Sequence, residues 1–176
     1  MTRKANGFAL IDIIFCIGII SLLCGISLPR LLLAKQAAGS ASAIGSMRAI
    51  NSAELTFAIT CGAGFYAPKL TTLGTAPVGS REPFISPGLA ETDTITKSGY
   101  TIQIAALAYG GAPASCNGLA SGEAGQGFKA SADAAEPGNP RFFATNSSGL
   151  IYEHTSSLFP SMPEVGAPPV GSPLQR

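Results

Sequence analysis

The first part of the chain carries one long apolar run. From Phe8 to Leu28 almost every residue is apolar, and Asp12 is the single charge. At about 1.5 Å rise per residue, a helix of this length would be about 32 Å long, which matches the hydrocarbon core of a bilayer. A secretory signal peptide is the alternative, but its apolar region is usually only about 7–15 residues long. The pattern therefore predicts a membrane-spanning helix.

Beyond Pro29 the pattern changes to that of a helix with one apolar face. Apolar residues recur there at three- and four-residue steps. The residues of this stripe are Ile44, Met47, Asn51, Leu55, Ala58 and Ile59. We expect the first helix to continue to about Thr60. Glycines and Pro29 weaken it locally, which predicts bending or melting between Gly25 and Pro29, with the bend at Pro29; close helix packing explains the glycines equally well.

The rest of the chain predicts a small sheet with long loops. A short helical turn is expected between Pro68 and Gly74, followed by a loop over residues 75–98 with Ile85 and Leu89 turned inward. Alternating patterns then predict strands. These strands are Tyr100–Ile104, Phe128–Ala132, Arg141–Thr145 and Gly149–His154, the last two forming a hairpin. The prolines after Ser156 predict an extended or disordered tail.

These elements together predict an α+β fold. A sheet with one apolar face must pack on something, and the long helix carries the only long apolar stripe. We therefore expect a long N-terminal α-helix, transmembrane in its first half, packed on a small antiparallel β-sheet head.

Composition narrows the possible functions. Charged residues make up 12% of the chain and the net charge is +1, so part of the surface is expected to be covered by something other than water. There is no basic block, and hence no strong nucleic-acid signal. The lone imidazole of His154 has no catalytic partners in the pattern, so we expect no enzyme and no cofactor. Glu82, Glu91 and Asp93 could surround a cation, but we expect no metal site. Arg48 and Glu54 could form contacts between copies of the chain, but we expect them to be solvated charges.

The flanking charges predict the topology. Arg3 and Lys4 precede the apolar run. Positively charged residues before a membrane-spanning helix favour the cytoplasmic side, so the N-terminus is expected in the cytoplasm. Cys61 and Cys116 then lie in an oxidising compartment, where we expect them to form a disulfide; two free thiols are the alternative. Cys16 and Cys24, inside the apolar run, are expected to pack as small hydrophobic residues.

Asp12 requires a counter-ion. An ionised carboxylate at mid-bilayer costs about 2.5–3.5 kcal/mol on insertion scales. Cleavage between Gly7 and Phe8 would create an α-amine one helical turn from Asp12, in the same chain or on a neighbour. The ammonium and the carboxylate would then neutralise each other.

The N-terminal features together resemble the prepilin motif of type IV pilins and type II secretion pseudopilins. An Arg-Lys leader ends at Gly7, and Phe8 opens an apolar helix with an acid at its fifth position and Pro29 at its twenty-second. The resemblance continues in SAIGSMRAINSAELTFAITCGAGFYAPKLTTLG, KSGYTIQI and RFFATNSSGLIY, and so covers about Gly7 to Tyr152. The family acid is normally Glu, so Asp12 is shorter by one methylene.

This resemblance implies a pilin-like fold and a life cycle. A prepilin peptidase would cleave after Gly7 and N-methylate Phe8. The chain would remain in the inner membrane, in contact with lipid and with its N-terminus in the cytoplasm. An assembly platform there would then insert it into a periplasmic or extracellular filament of its own copies and minor pilins, with Asp12 pairing with a Phe8 amine.

The expected organisation has five parts. Residues 1–7 form the leader, 8–28 the transmembrane and assembly half of the helix, and 29–60 its exported half; 61–155 form the globular part and 156–176 a flexible tail. A pilus subunit and a pseudopilus subunit both fit this organisation. The alternative from another class is a single-span, membrane-anchored binding domain that does not polymerise.

Overall fold

The computed structural model describes residues 10–136 and 139–174, so Gly7 and Phe8 lie outside the described residues. The chain divides into two compact units, with the boundary after Ala37. Each unit is described by itself below. Helix α1 (Leu10–Thr60) begins in the first unit and ends in the second.

The second unit contains an antiparallel meander. Two short helices, α2 (Leu70–Leu73) and α3 (Pro87–Ala90), precede it. Its strands are β1 (Thr94–Lys97), β2 (Tyr100–Ala105), β3 (Lys129–Ala134), β4 (Phe142–Asn146), β5 (Ile151–His154) and β6 (Ser172–Pro173). They lie in the sheet in chain order, and each neighbouring pair is antiparallel.

The main core lies between α1 and one face of the sheet. Residues of α1 spaced by three or four positions are buried there: Ala43, Met47, Ile50, Ala53 and Phe57. Alternate residues of β2 and β3 complete this core, including Ile102 and Ala132, together with Phe143 of β4. The α+β fold with a long N-terminal helix packed on a small antiparallel sheet is thus confirmed.

The buried stripe of α1 differs from the predicted one. Met47 and Ala58 are buried as expected, whereas Leu55 and Ile59 are 55% and 73% exposed. Ile50 and Phe57 occupy the core instead. The predicted stripe was rotated around the helix because both choices of residues satisfy a three- and four-residue spacing.

The proline-rich tail packs on the opposite face of the sheet, contrary to prediction. Leu158 and Met162 are buried against Ala144 and Tyr152. Because Ala144 follows Phe143 in β4, its side chain points away from α1. The tail then adds β6 at the edge of the sheet, where the missing N–H of Pro173 is tolerated.

The segment expected to be a loop over residues 75–98 also contains regular structure. Ile85 and Leu89 are buried as predicted, but α3 and β1 lie in this segment. β1 joins β2 through a two-residue turn in which Ser98 and Gly99 both have positive φ, at 52° and 80°. Such turns match the twist of the flanking strands, so a short, mostly exposed strand forms here.

Candidate functional site

The described part of the first unit is a helical segment whose large apolar side chains are exposed. Every Leu, Ile and Phe between Leu10 and Leu33 is exposed. We call residues 10–33 the apolar segment. A helix that is apolar on all sides requires a non-aqueous environment. Among the described residues, α1 is the one helix long and apolar enough to cross a membrane.

Asp12 lies near the start of this helix and is exposed among apolar neighbours. Its predicted partner, the amine that cleavage before Phe8 would create, falls outside the described residues. The pairing of Asp12 with Phe8, and the cleavage after Gly7, therefore stay predictions.

Pro29 lies inside α1, which continues without interruption through Gly25 and Pro29. Melting of the helix at these positions is therefore absent here, and the bend at Pro29 stays a prediction. A Cβ atom built on Gly18 or Gly25 would meet no atom within 4 Å. Neither glycine is therefore required by packing within the described chain.

The two cysteines outside the apolar segment form a disulfide, as predicted. Cys61 directly follows α1, and Cys116 lies in the loop between β2 and β3. The Cys116 N–H also donates to the Cys61 carbonyl at 3.3 Å. The bridge thus joins the end of α1 to a long loop. Cys16 and Cys24 are free thiols, and both are exposed on the apolar segment.

Glu54 is buried, contrary to the prediction of a solvated charge. Its side chain lies inside the second unit with 0% exposure, and its Oε2 accepts the backbone N–H of Ala67 at 2.9 Å. Burial raises the pKa of this carboxyl to about 8, against a smaller lowering by the Ala67 N–H. The position of Glu54 in the sequence could have indicated this burial, because it lies four residues after Ile50 and three before Phe57, which are both buried. The prediction of an exposed side chain followed from its charge, which is rarely buried without a partner. Arg48, in contrast, is exposed as expected.

The three carboxylates that could surround a cation, Glu82, Glu91 and Asp93, form no metal-binding group in the described residues. Asp93 accepts the Thr71 hydroxyl and lies 3.4 Å from Lys69 Nζ. The Thr71 hydrogen bond, followed by Lys69, holds the pKa of Asp93 below its usual value. Glu82 and Glu91 are exposed. Within residues 10–136 and 139–174, no group of three His, Cys, Asp or Glu side chains could hold a metal ion.

Two of the open clefts in the second unit border the part of the sheet formed by β4, β5 and β6. One, of about 310 Å³, lies between α1 and the β4–β5 turn and is lined by five Asn and Ser residues together with Leu55, Tyr66, Phe128 and Gly149. The other, of about 550 Å³, lies beside β5 and β6 and includes His154. His154 Nδ1 is 3.0 Å from Ser156 Oγ. At this cleft Arg141 binds Glu153 with two hydrogen bonds, which lower the pKa of Glu153.

Comparisons with protein-family models, with curated proteins and with solved structures found no match to this chain.

Proposed function

We propose that this chain is the precursor of a filament subunit of the type IV pilus or type II secretion pseudopilus kind. A prepilin peptidase would cleave it after Gly7, and α1 would polymerise with α1 of other copies. The observation that carries the proposal is the apolar segment, which exposes all its large side chains and follows a leader ending in Gly7.

Energetics support a life cycle in two environments. Fully burying a Leu, Ile or Phe side chain stabilises a protein by about 1.5–3 kcal/mol relative to leaving it in water. The apolar segment is stable in a lipid bilayer because the lipid tails cover it. Bundled helices of a filament cover the same side chains, so transfer from membrane to filament keeps them out of water.

The carboxylate of Asp12 would then fix the axial position of each copy within the filament. An unpaired Asp12 is unfavourable in an apolar surrounding. Pairing with the Phe8 amine of an adjacent copy would neutralise both groups and favour one axial position over others. Entry of a copy with an unpaired charge would be disfavoured.

Replacement of Asp12 tests the proposal. Asp12→Asn keeps the shape of the side chain and removes its charge, and Asp12→Glu keeps the charge. We expect Asp12→Asn to insert into membranes normally but to reduce filament yield at least tenfold, because the Phe8 amine loses its partner. Asp12→Glu should retain assembly. Filaments are sheared from cells and quantified against the membrane-bound pool.

Three further variants serve as controls for loss of charge and for cleavage. Ser21→Ala changes another polar residue of the apolar segment and should leave filament yield unchanged. Gly7→Val should block cleavage, whereas Ala5→Val in the same leader should not. Normal filaments from Asp12→Asn would remove Asp12 from the assembly mechanism.

The alternative is a single-span, membrane-anchored binding domain, which the two clefts beside β4, β5 and β6 would suit. Such a protein would keep its leader and would not polymerise. Substitutions of residues that line its clefts would reduce ligand binding, whereas filament yield would not be a property of this protein.

A further inference from the structure

The carboxyl of Glu54 is fully buried and has a single hydrogen bond. Its Oε2 accepts the Ala67 N–H at 2.9 Å. Its Oε1 is also buried and has no hydrogen-bond partner. The surrounding core is apolar and contains Ile50 and Phe57 of the same helix. A neutral carboxyl fits this site better than a carboxylate, because a buried charge with one hydrogen bond is strongly destabilising.

Charged side chains do not compensate Glu54. On α1, Arg48 is exposed, and in the following segment Lys69 is exposed and bound to Asp93. Tyr66, next to Ala67, packs on Phe128, and Lys129 of β3 donates to the Phe159 carbonyl. The pKa of Glu54 reflects burial and the Ala67 N–H. No charged group in the described chain is among its causes.

The segment that Glu54 contacts, residues 61–69, leads from the end of α1 to α2. A Cβ atom on Gly62 would approach the Phe65 carbonyl oxygen to 2.3 Å and a Phe57 ring carbon to 2.8 Å. Ala67 has 0% exposure. There is consequently little space for water to reach the carboxyl unless the segment moves.

We propose that Glu54 is a proton-dependent latch that holds residues 61–69 against α1, closed while the carboxyl is protonated and released when it ionises. The direct consequence is that local opening near Ala67 becomes more frequent as the pH rises toward 8. Cys61, joined to Cys116, would limit how far the segment departs. The inference does not depend on polymerisation, so it stands or fails separately from the proposed function.

Hydrogen exchange of the Ala67 amide tests the latch, using the full-length chain in detergent micelles between pH 6 and 10. Protection factors, which are corrected for the intrinsic pH dependence of exchange, should fall by up to tenfold per pH unit between pH 6 and about pH 8, because the carboxyl is protonated in the closed state and ionised in the open state. Above about pH 8 the carboxyl is ionised in both states, so the protection factors should level off. Glu54→Gln, which cannot ionise, should remove the fall. Glu91→Gln, an exposed carboxyl in the same unit, should retain it.

Two outcomes would overturn the proposal. One is a flat protection factor across this pH range in the unmodified chain; the other is the same fall between pH 6 and pH 8 in Glu54→Gln. If Glu54→Gln fails to fold, the carboxyl ¹³C shift of Glu54 in the unmodified chain decides. A midpoint near pH 8 supports the latch, and a midpoint near 4.5 contradicts it.

Discussion

The two units use the same helix in opposite ways. In the first unit, α1 exposes its apolar residues on every side, whereas in the second unit it buries one stripe against the sheet and presents Arg48 and Ser52 to solvent. The second unit therefore contains its own hydrophobic core. The apolar segment has no such core and must be covered by lipid or by another chain. Identical substitutions should consequently have different effects in the two units.

Truncation of a phenylalanine should show the largest contrast. Phe57 is fully buried and packs edge-to-face on Phe84, with ring centroids 5.3 Å apart. Phe57→Ala should reduce the free energy of unfolding by about 3–5 kcal/mol. Phe15→Ala, on the apolar segment, should leave unfolding of the second unit unchanged. Urea unfolding in micelles, followed by tyrosine near-ultraviolet circular dichroism, measures both. Equal losses would show that the units do not differ as described.

Removal of cysteines should give the next contrast. The Cys61–Cys116 bridge closes a loop across a sequence separation of 55 residues. In the chain-entropy treatment, such a bridge stabilises a protein by about 4 kcal/mol, and measured losses are about 2–5 kcal/mol. Cys61→Ser with Cys116→Ser should show a loss in this range. Cys16→Ser with Cys24→Ser should show none, since both thiols are free. The same unfolding assay measures both double variants. Destabilisation by Cys16→Ser with Cys24→Ser, without destabilisation by Cys61→Ser with Cys116→Ser, would contradict the assignment of the disulfide.

The smallest effect should come from the surface pair Arg141–Glu153. Both side chains are partly exposed, at 41% and 30%, so water and salt screen the pair and its contribution is about 0.2–1 kcal/mol. Because Arg141 lowers the pKa of Glu153 below 4.5, the stabilisation is complete above pH 4.5. It is lost as the pH falls through the lower folded-state value. Glu153→Gln should therefore destabilise slightly at pH 7 and not at pH 2. Glu82→Gln, an exposed control, should do neither.

The hydrophobic pattern predicted the helix and most strands for physical reasons that are visible in the structure. Tyr100, Ile102 and Ile104 alternate with polar residues because β2 has one face on the core. Local pattern failed where tertiary context decides. β1 is short and mostly exposed, so its sequence has little apolar alternation, and β6 contains a proline that only an edge strand accepts.

The same limit applies to the candidate site. The apolar segment was evident from the sequence because a run of apolar residues needs no tertiary information to be recognised. The burial of Glu54 was missed because charged residues are almost never fully buried without a partner. Its hydrogen bond to Ala67 depends on how the segment after α1 folds back, which no local pattern indicates.

Intact mass measurement of the native chain tests the central proposal most directly. Protein recovered from the cells that make it should lack residues 1–7 and carry one added methyl group, and the processed form should be found in sheared filaments. A chain that retains Met1, together with the absence of any polymer, would contradict the proposal and favour an anchored binding domain.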